Sequence, residues 1–531
     1  MTLHKQFFAV FSCLVILALP CRPSAAEFRA EIIIDSSRPI GPVNRLILGN
    51  NVQWVDRGDE LLRAEGKGMS EAMIDKARAT GVTLLRYPGG SLADLYHWRD
   101  GLGDLPQRGR NEHFYSGRKQ TVELGTQEFL EVCEAVGAMP MITVNTATGA
   151  AEDAAEWVRL VNVKRLTSRR TGKPLPRVDY WEVGNEPYLK DDKQKKLWVK
   201  PEEFARRATR FIEAMHKEDP AIHIAVPLRS DLIGGKPATP LPGFNKTVLQ
   251  GVAARFDFVA LHNAYLPLDF EGKHSEDELY WASVAAPSVV AADFEATRKQ
   301  LAQLRPGEAV RLAVTEYNAF FTIGRSSDAF IHSPTGALYV ADLLRLFAYT
   351  PDLAFANFWS LSGNWHFGAI DRHGRARPAH VVLGAYNEVL KGSLLPVAVT
   401  AKTINTPHAG FVPAMKDVPL VSAIATRDES TLRLIVMNRD PRETADATLS
   451  LGDGFKWRGG SLRIYQANGR FDLREDVERF RMTGRMVEPG ESRVALAIPP
   501  LSFAVLILDK SPDKDMSGKP RKPRRAGGRH D

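Results

Sequence analysis

Between about residues 42 and 395, short apolar runs alternate with amphipathic stretches, and this alternation limits the chain more than any other feature. The runs are LILGNN (46–51), VTLLRYPGG (82–90), MPMITVN (139–145), VDYWEVGNE (178–186), IHIAVPL (222–228), FDFVALHNAY (256–265), VRLAVTEYN (310–318) and LAFANFWSL (353–361). A strand with one face in water alternates apolar and polar residues. These runs are nearly continuous, as in a parallel sheet covered on both faces by helices. Between them, TQEFLEVCEAVG (126–137), AAEWVRLVNVKRL (154–166), PEEFARRATRFIEAMHKE (201–218), DFEATRKQLAQL (293–304) and GALYVADLLRLFAY (336–349) repeat apolar residues at i, i+3 and i+4. Eight such strands with helices between them predict an α/β fold, a (β/α)8 TIM barrel over 42–395 with loop insertions. A doubly wound open sheet would need a Gly-rich phosphate turn, and the sequence has none.

After residue 396 the helical period stops. VSAIATR, LRLIVMNR, ATLSLG, LRIYQA, RVALAIPP and FAVLILDK are short runs parted by Gly, Asn, Asp and Pro, which predicts an antiparallel β-sandwich over 396–509. AEIIID (30–35), within a short segment 27–41, adds a strand to it. At the other extreme, Lys5, the run FFAVFSCLVILAL and Ser24-Ala25-Ala26 read as a secretory signal over 1–26, cut after Ala26, so the chain is expected to be secreted or periplasmic. No later run has the roughly 20 apolar residues that span a bilayer, so the mature chain is expected to hold no transmembrane segment. Only Cys133 of the three cysteines survives cleavage, which excludes an internal disulfide. It sits in a helical pattern and reads as a small buried apolar residue.

The formal charge of +7 belongs to the ends: Lys5 and Arg22 carry two charges of the leader, and 510–531 carries a net five, leaving 27–509 neutral. A neutral body argues against nucleic acid as a partner. The tail, SGKPRKPRRAGGRHD, has the composition of a disordered segment; it offers weak, screened attraction to an anionic polymer or surface. Nothing in the sequence fixes an oligomeric state.

In such barrels the reactive groups stand at the C-terminal ends of the strands. Those ends carry Arg86 and Ser91, Asn145, Asn185 and Glu186, His262 and Tyr265, Glu316 and Tyr317, and Trp359. Two glutamates facing one cleft can divide acid and nucleophile roles, as glycoside hydrolysis requires. Arg86 favours an ionised nucleophile, Asn185 suits a sugar hydroxyl, and the Tyr and Trp rings offer flat faces to a sugar. No histidine pair has metal-ligand spacing, and no G-x-S-x-G elbow is present, so neither a metal nor a serine triad is expected.

WEVGNEP (181–187) and TEYN (315–318) resemble the acid/base and nucleophile motifs of clan A retaining glycoside hydrolases. LLRYPGGSLADLYHWRDGLG (84–103), ITVNTATG with AAEWVRLVN (142–162), and the helix PEEFARRATRFIEAMHKEDPAI are most similar to the family 51 α-L-arabinofuranosidases. The resemblance implies a barrel carrying a β-sandwich, Glu186 as acid/base, Glu316 as nucleophile, Asn185 on the sugar 2-hydroxyl, Arg86 supporting the nucleophile, a glycan as partner and no cofactor. Two positions depart from the family. Ser91 stands where it has a sugar-contacting Asn, and GNNVQWV, with Asn51 and Gln53, stands where it has a sugar-binding Glu. An endo-acting β-glycosidase of the same clan, and a carbohydrate-binding protein without turnover, stay open as alternatives.

Overall fold

A computed structural model describes residues 27–511 apart from 65–66, 190–194, 196, 231–242, 270–271, 320–327, 364–366, 453–454 and 471–479. The expected leader (1–26) and the basic tail from 512 onward lie outside the described residues. The eight apolar runs form eight parallel strands that close on themselves: β1 (Gly49–Asn51), β2 (Leu84–Tyr87), β3 (Met139–Val144), β4 (Tyr180–Val183), β5 (His223–Pro227), β6 (Phe258–Leu261), β7 (Arg311–Tyr317) and β8 (Leu353–Phe358). Each pairs with its neighbours in chain order, and β8 returns to β1.

One helix in the wall follows each strand: Glu71–Ala79, Thr126–Val136, Ala151–Val158, Pro201–Glu218, Phe244–Gly251, Glu276–Leu304, Pro334–Ala348 and Pro378–Val389. The first apolar run gives less strand than its hydrophobicity predicts. Arg45–Leu48 is a 3-10 turn, because the Asn44 side chain accepts from the Leu46 N–H (3.0 Å) and donates to the Leu353 carbonyl (2.8 Å). Helix Glu276–Leu304 begins well before the periodic stretch that predicts it. Ser275 and Glu278 cap its start reciprocally, but its first half is buried nearly all round and shows no polar stripe.

Side chains on a strand point inward at every second residue. The lower interior layer is apolar: Leu84, Met141, Ala225, Phe258, Ala313 and Phe355 pack together, with Tyr180 against them. Burying a Met or Phe side chain is worth about 1.5–3 kcal/mol. Two residues further along β2, β3, β4 and β7 stand Arg86, Thr143, Glu182 and Thr315, all buried. The barrel interior therefore changes from apolar to charged within one inward step.

The C-terminal region holds a four-stranded sheet and a larger one. Glu27–Ile34 lies inside the smaller sheet, antiparallel to Val397–Thr400 but parallel to Thr444–Ser450, so one pairing departs from the antiparallel rule. Ile32, Ile34, Leu434, Leu449 and Leu506 fill the space between the sheets. A buried ion pair joins this region to the barrel: Arg439 lies 2.6 Å from Asp342 and also donates to the Val284 and Pro419 carbonyls. Arg345 and Arg439 outweigh the burial of Asp342 and hold its carboxyl down at about 2.

Candidate active site

Arg86 stands at the centre of the charged layer, with no exposed surface. Its Nε donates to Glu182 Oε2 (2.7 Å), Nη1 to Asn51 Oδ1 (2.9 Å) and Glu316 Oε1 (2.8 Å), and Nη2 to Asn185 Oδ1 (2.8 Å). Thr143 Oγ1 adds a bond to Glu182 Oε2 (2.7 Å). Burial opposes the charge on Arg86, but Glu182 and Glu316 outweigh it and raise its pKa further. The fork thus fixes groups from β1, β4 and β7 at once.

Two local features bring the glutamates to this point. After β4, Gly184 takes a left-handed φ of 84°, and a β-carbon there would meet Thr146 Oγ1 at 2.4 Å. The turn leaves the strand direction and delivers Asn185 and Glu186 over the barrel mouth. On β7, four residues from Val314 to Tyr317 stand against three on β8, from Ala356 to Phe358. This bulge lets both Thr315 and Glu316 reach the interior, which strict alternation forbids.

His262, just past β6, ties the two acids together. Its Nδ1 is 2.7 Å from Glu186 Oε1 and 3.8 Å from Glu316 Oε2, and its Nε2 is 2.8 Å from Thr315 Oγ1. Those carboxylate oxygens therefore stand no more than about 6.5 Å apart, the sum of the first two distances. Burial works against a charged imidazole here, yet the carboxylates of Glu316 and Glu186 outweigh it and raise its pKa. Tyr265 donates to Glu316 Oε2 (2.9 Å), and Tyr188 to Glu186 Oε1 (3.4 Å). Burial raises the pKa of Glu316 above the ordinary carboxylate value; His262 and Arg86 pull it down without cancelling that rise. Arg86 alone would predict a lowered pKa, so desolvation is the stronger effect.

The remaining expected residues divide. A β-carbon on Gly90 would lie 2.9 Å from Glu316 Oε1 and 3.1 Å from the Trp359 ring, so Glu316 and Trp359 face the same glycine turn. Ser91 lines a cavity beside Glu186 and Asn185. The Asn185 amide nitrogen is buried with no hydrogen-bond partner among the described residues, a donor that a sugar hydroxyl would satisfy. Asn145 is not in the site. Its Oδ1 accepts from the N–H groups of Ala147 and Thr148, and its Nδ2 donates to Tyr96 O and Thr148 Oγ1, so it closes its own loop. Tyr317 is not there either. With Glu316 turned inward, the next residue turns outward, and the Tyr317 ring packs on Phe347 and Phe358.

With this geometry in view, the known proteins most similar to the chain are informative. Residues 76–232 match the model of the alpha-L-arabinofuranosidase 1 domain. The chain is α-L-arabinofuranosidase-like. Alpha-L-arabinofuranosidase C of Emericella nidulans is 33% identical over 179 residues, covering 32% of this chain and 34% of the relative. This chain thus matches about a third of that relative's length. The intracellular exo-alpha-L-arabinofuranosidase of Bacteroides ovatus is 22% identical over 433 residues, covering 75% of this chain and 78% of that protein. Among solved structures, the Thermotoga maritima alpha-L-arabinofuranosidase in complex with arabinose superposes with a TM-score of 0.77 at 21% identity, over 90% of this chain and 100% of that one. That likeness establishes the shared fold, a TIM barrel with a β-sandwich.

Within the arabinofuranosidase-like barrel, four polar groups escape the strand-end reading. Glu182 and Thr143 point inward one layer below the strand ends; a charged residue inside the apolar run YWEV was the available signal. Asp94 lines the cavity beside Glu186, and burial, with Glu186 adding, pushes its carboxyl up to about 7. Asp59 receives the Gln53 side-chain amide at 3.2 and 3.3 Å and the Gln53 N–H at 3.2 Å. It is held there by a left-handed turn in which Asp56, Arg57, Gly58, Asp59 and Glu60 all have positive φ. No short-range pattern in the sequence announces that turn.

Proposed function

We propose that the chain is a retaining glycoside hydrolase that releases α-L-arabinofuranosyl residues from a glycan or glycoside. The observation that carries this reading is the pair Glu186 and Glu316 at one ring nitrogen of His262, Nδ1, the two oxygens nearest it standing within about 6.5 Å of each other. Retaining enzymes hold their two carboxyl groups at about 5–5.5 Å, whereas inverting enzymes need about 6.5–9.5 Å to seat a water. The named relatives supply the sugar.

In this mechanism Glu186, whose side chain is 18% exposed against 7% for Glu316, gives its proton to the leaving oxygen. Glu316 attacks the anomeric carbon, and the glycosidic C–O bond breaks as the glycosyl ester forms. Arg86 and Tyr265 fix the two oxygens of Glu316, so little reorientation precedes attack. Glu186, now a carboxylate beside His262, takes a proton from water, which opens the ester and restores both acids.

Changing Glu316→Ala is expected to lower kcat on 4-nitrophenyl α-L-arabinofuranoside by at least about 10⁴-fold, the scale seen when a covalent nucleophile is removed. Added azide should restore part of the rate and give a glycosyl azide, and NMR should show the wild-type product anomer retained. Full activity in Glu316→Ala, or an inverted product from the wild type, refutes the double displacement.

A further inference from the structure

Past the end of β1 the chain stays extended beside β2: the Val52 and Trp54 N–H groups donate to the Arg86 and Pro88 carbonyls (2.8 and 3.0 Å). Side-chain alternation therefore continues. Gln53 faces the barrel mouth two residues above Asn51, the residue that meets Arg86. Its side chain lies against Gly89, where an added β-carbon would stand 3.1 Å from Gln53 Cγ. The next glycine, Gly90, faces Glu316 and Trp359, so Gln53 borders the place where a sugar meets the nucleophile. The Gln53 amide nitrogen is spent on Asp59. Its Oε1 accepts no hydrogen bond among the described residues, and it reaches solvent through the 9% of Gln53 that stays exposed.

Keeping Asp59 there is costly. It is 2% exposed, and burial raises its carboxyl well above the ordinary carboxylate range, with the bonds from Gln53 only partly offsetting this. Four residues other than glycine, Asp56, Arg57, Asp59 and Glu60, take the unfavourable left-handed conformation to place it. The Ser362 hydroxyl donates to the Asp59 carbonyl (2.9 Å), and Gly363 makes room for the carboxyl: a β-carbon there would lie 2.9 Å from Oδ1. Yet every hydrogen bond to that carboxyl among the described residues comes from Gln53. Strain of this kind persists where the surroundings enforce it, and it clusters at functional sites. Resting on the hydrolase reading above, we propose that Asp59 is a positioning residue, which holds the Gln53 amide so that its Oε1 accepts a hydrogen bond from a hydroxyl of the bound sugar. With the 2-hydroxyl left to Asn185, that partner is the 3- or the 5-hydroxyl of an arabinofuranosyl ring. An amide freed from Asp59 turns about its last bond and no longer presents a fixed acceptor.

The test measures kcat/KM on 4-nitrophenyl α-L-arabinofuranoside and on its 3-deoxy and 5-deoxy analogues. Asp59→Gly removes the carboxyl and suits a positive φ, so the turn survives. It should lower kcat/KM on the parent compound about 2- to 12-fold, the worth of one neutral hydrogen bond, chiefly through KM. On one of the two analogues the same variant should match the wild type, because the hydroxyl it fails to hold is already missing. Asp59→Asn, also at ease with a positive φ, keeps an acceptor for the amide and should restore most of the value on the parent. Gln53→Leu leaves the turn in place, should show the same selective loss, and serves if the glycine variant does not fold. Equal losses on all three substrates in either variant, or unchanged kinetics in folded Asp59→Gly, overturn the positioning role and leave the hydrolase intact. No turnover of the parent compound by the wild type overturns both.

Discussion

The two layers of the barrel interior are built from the same strands and differ by one inward step. Leu84 gives way to Arg86 on β2, Met141 to Thr143 on β3, Tyr180 to Glu182 on β4, and Ala313 to Thr315 on β7. Below, carbon packs on carbon and the residues could exchange with others of similar volume. Above, two carboxylates and two amide oxygens share one guanidinium, and each depends on the position of the rest. Stability and chemistry thus sit 6–7 Å apart on the same scaffold, at about 3.3 Å per residue. The lower layer can be altered without touching the reaction; the upper one cannot.

The largest break in that contrast comes from one substitution in each layer. Arg86→Met leaves Glu182 and Glu316 buried without their cation, and removing one partner of a buried pair costs about 3–5 kcal/mol. Both denaturant stability and kcat should fall. Met141→Ala opens a cavity and should cost about 2–5 kcal/mol, with kcat of the folded enzyme nearly unchanged. Equal activity losses from the two changes would erase the distinction between layers.

A smaller effect sharpens the contrast across the barrel wall. Tyr265→Phe deletes a 2.9 Å bond to Glu316 and should reduce kcat by about 10- to 100-fold, the worth of a hydrogen bond to a charged group. Tyr317→Phe, at the end of the next strand but facing the helices, removes a buried hydroxyl with no hydrogen-bond partner among the described residues. Its kcat and stability should stay within about 0.5 kcal/mol of wild type. Steady-state kinetics beside urea melts of both variants decide this.

Asp94 gives the smallest signal, read in pH. Its carboxyl ionises near 3.8 when unfolded and near 7 when folded. Between those values the unfolded chain has lost a proton that the folded chain keeps, so this group's contribution to stability falls as pH rises from about 4 to 7. Asp94→Asn should flatten that part of the wild-type stability curve, and urea midpoints at pH 4, 5.5 and 7 measure the slope. Parallel curves for the two proteins would place Asp94 in ordinary solvent.

Legibility followed the physical range of each signal. Strand-end polar residues were readable because a charge after a doubly buried run is local information, and six of them, Arg86, Asn185, Glu186, His262, Tyr265 and Glu316, meet in one cluster of hydrogen bonds and ion pairs. Asn145 and Tyr317 occupy equivalent places in the sequence and are absent from it. What separates them is a loop that consumes one side chain and a bulge that sets which neighbour faces inward. Glu182 stood in plain view within WEVGNEP, but only closure of the barrel brings it beneath Arg86 from β2.

By itself, then, the sequence determined the alternation of buried strands and helices, the sheet-rich second half and the two glutamates at strand ends, because hydrophobic period and turn chemistry act over a few residues. The tertiary structure alone decided that one arginine holds Glu182, Asn185 and Glu316 together and that desolvation outweighs that arginine at Glu316. Those outcomes depend on distances between residues up to 230 positions apart in the chain and on the water excluded when they meet, neither of which any local pattern records.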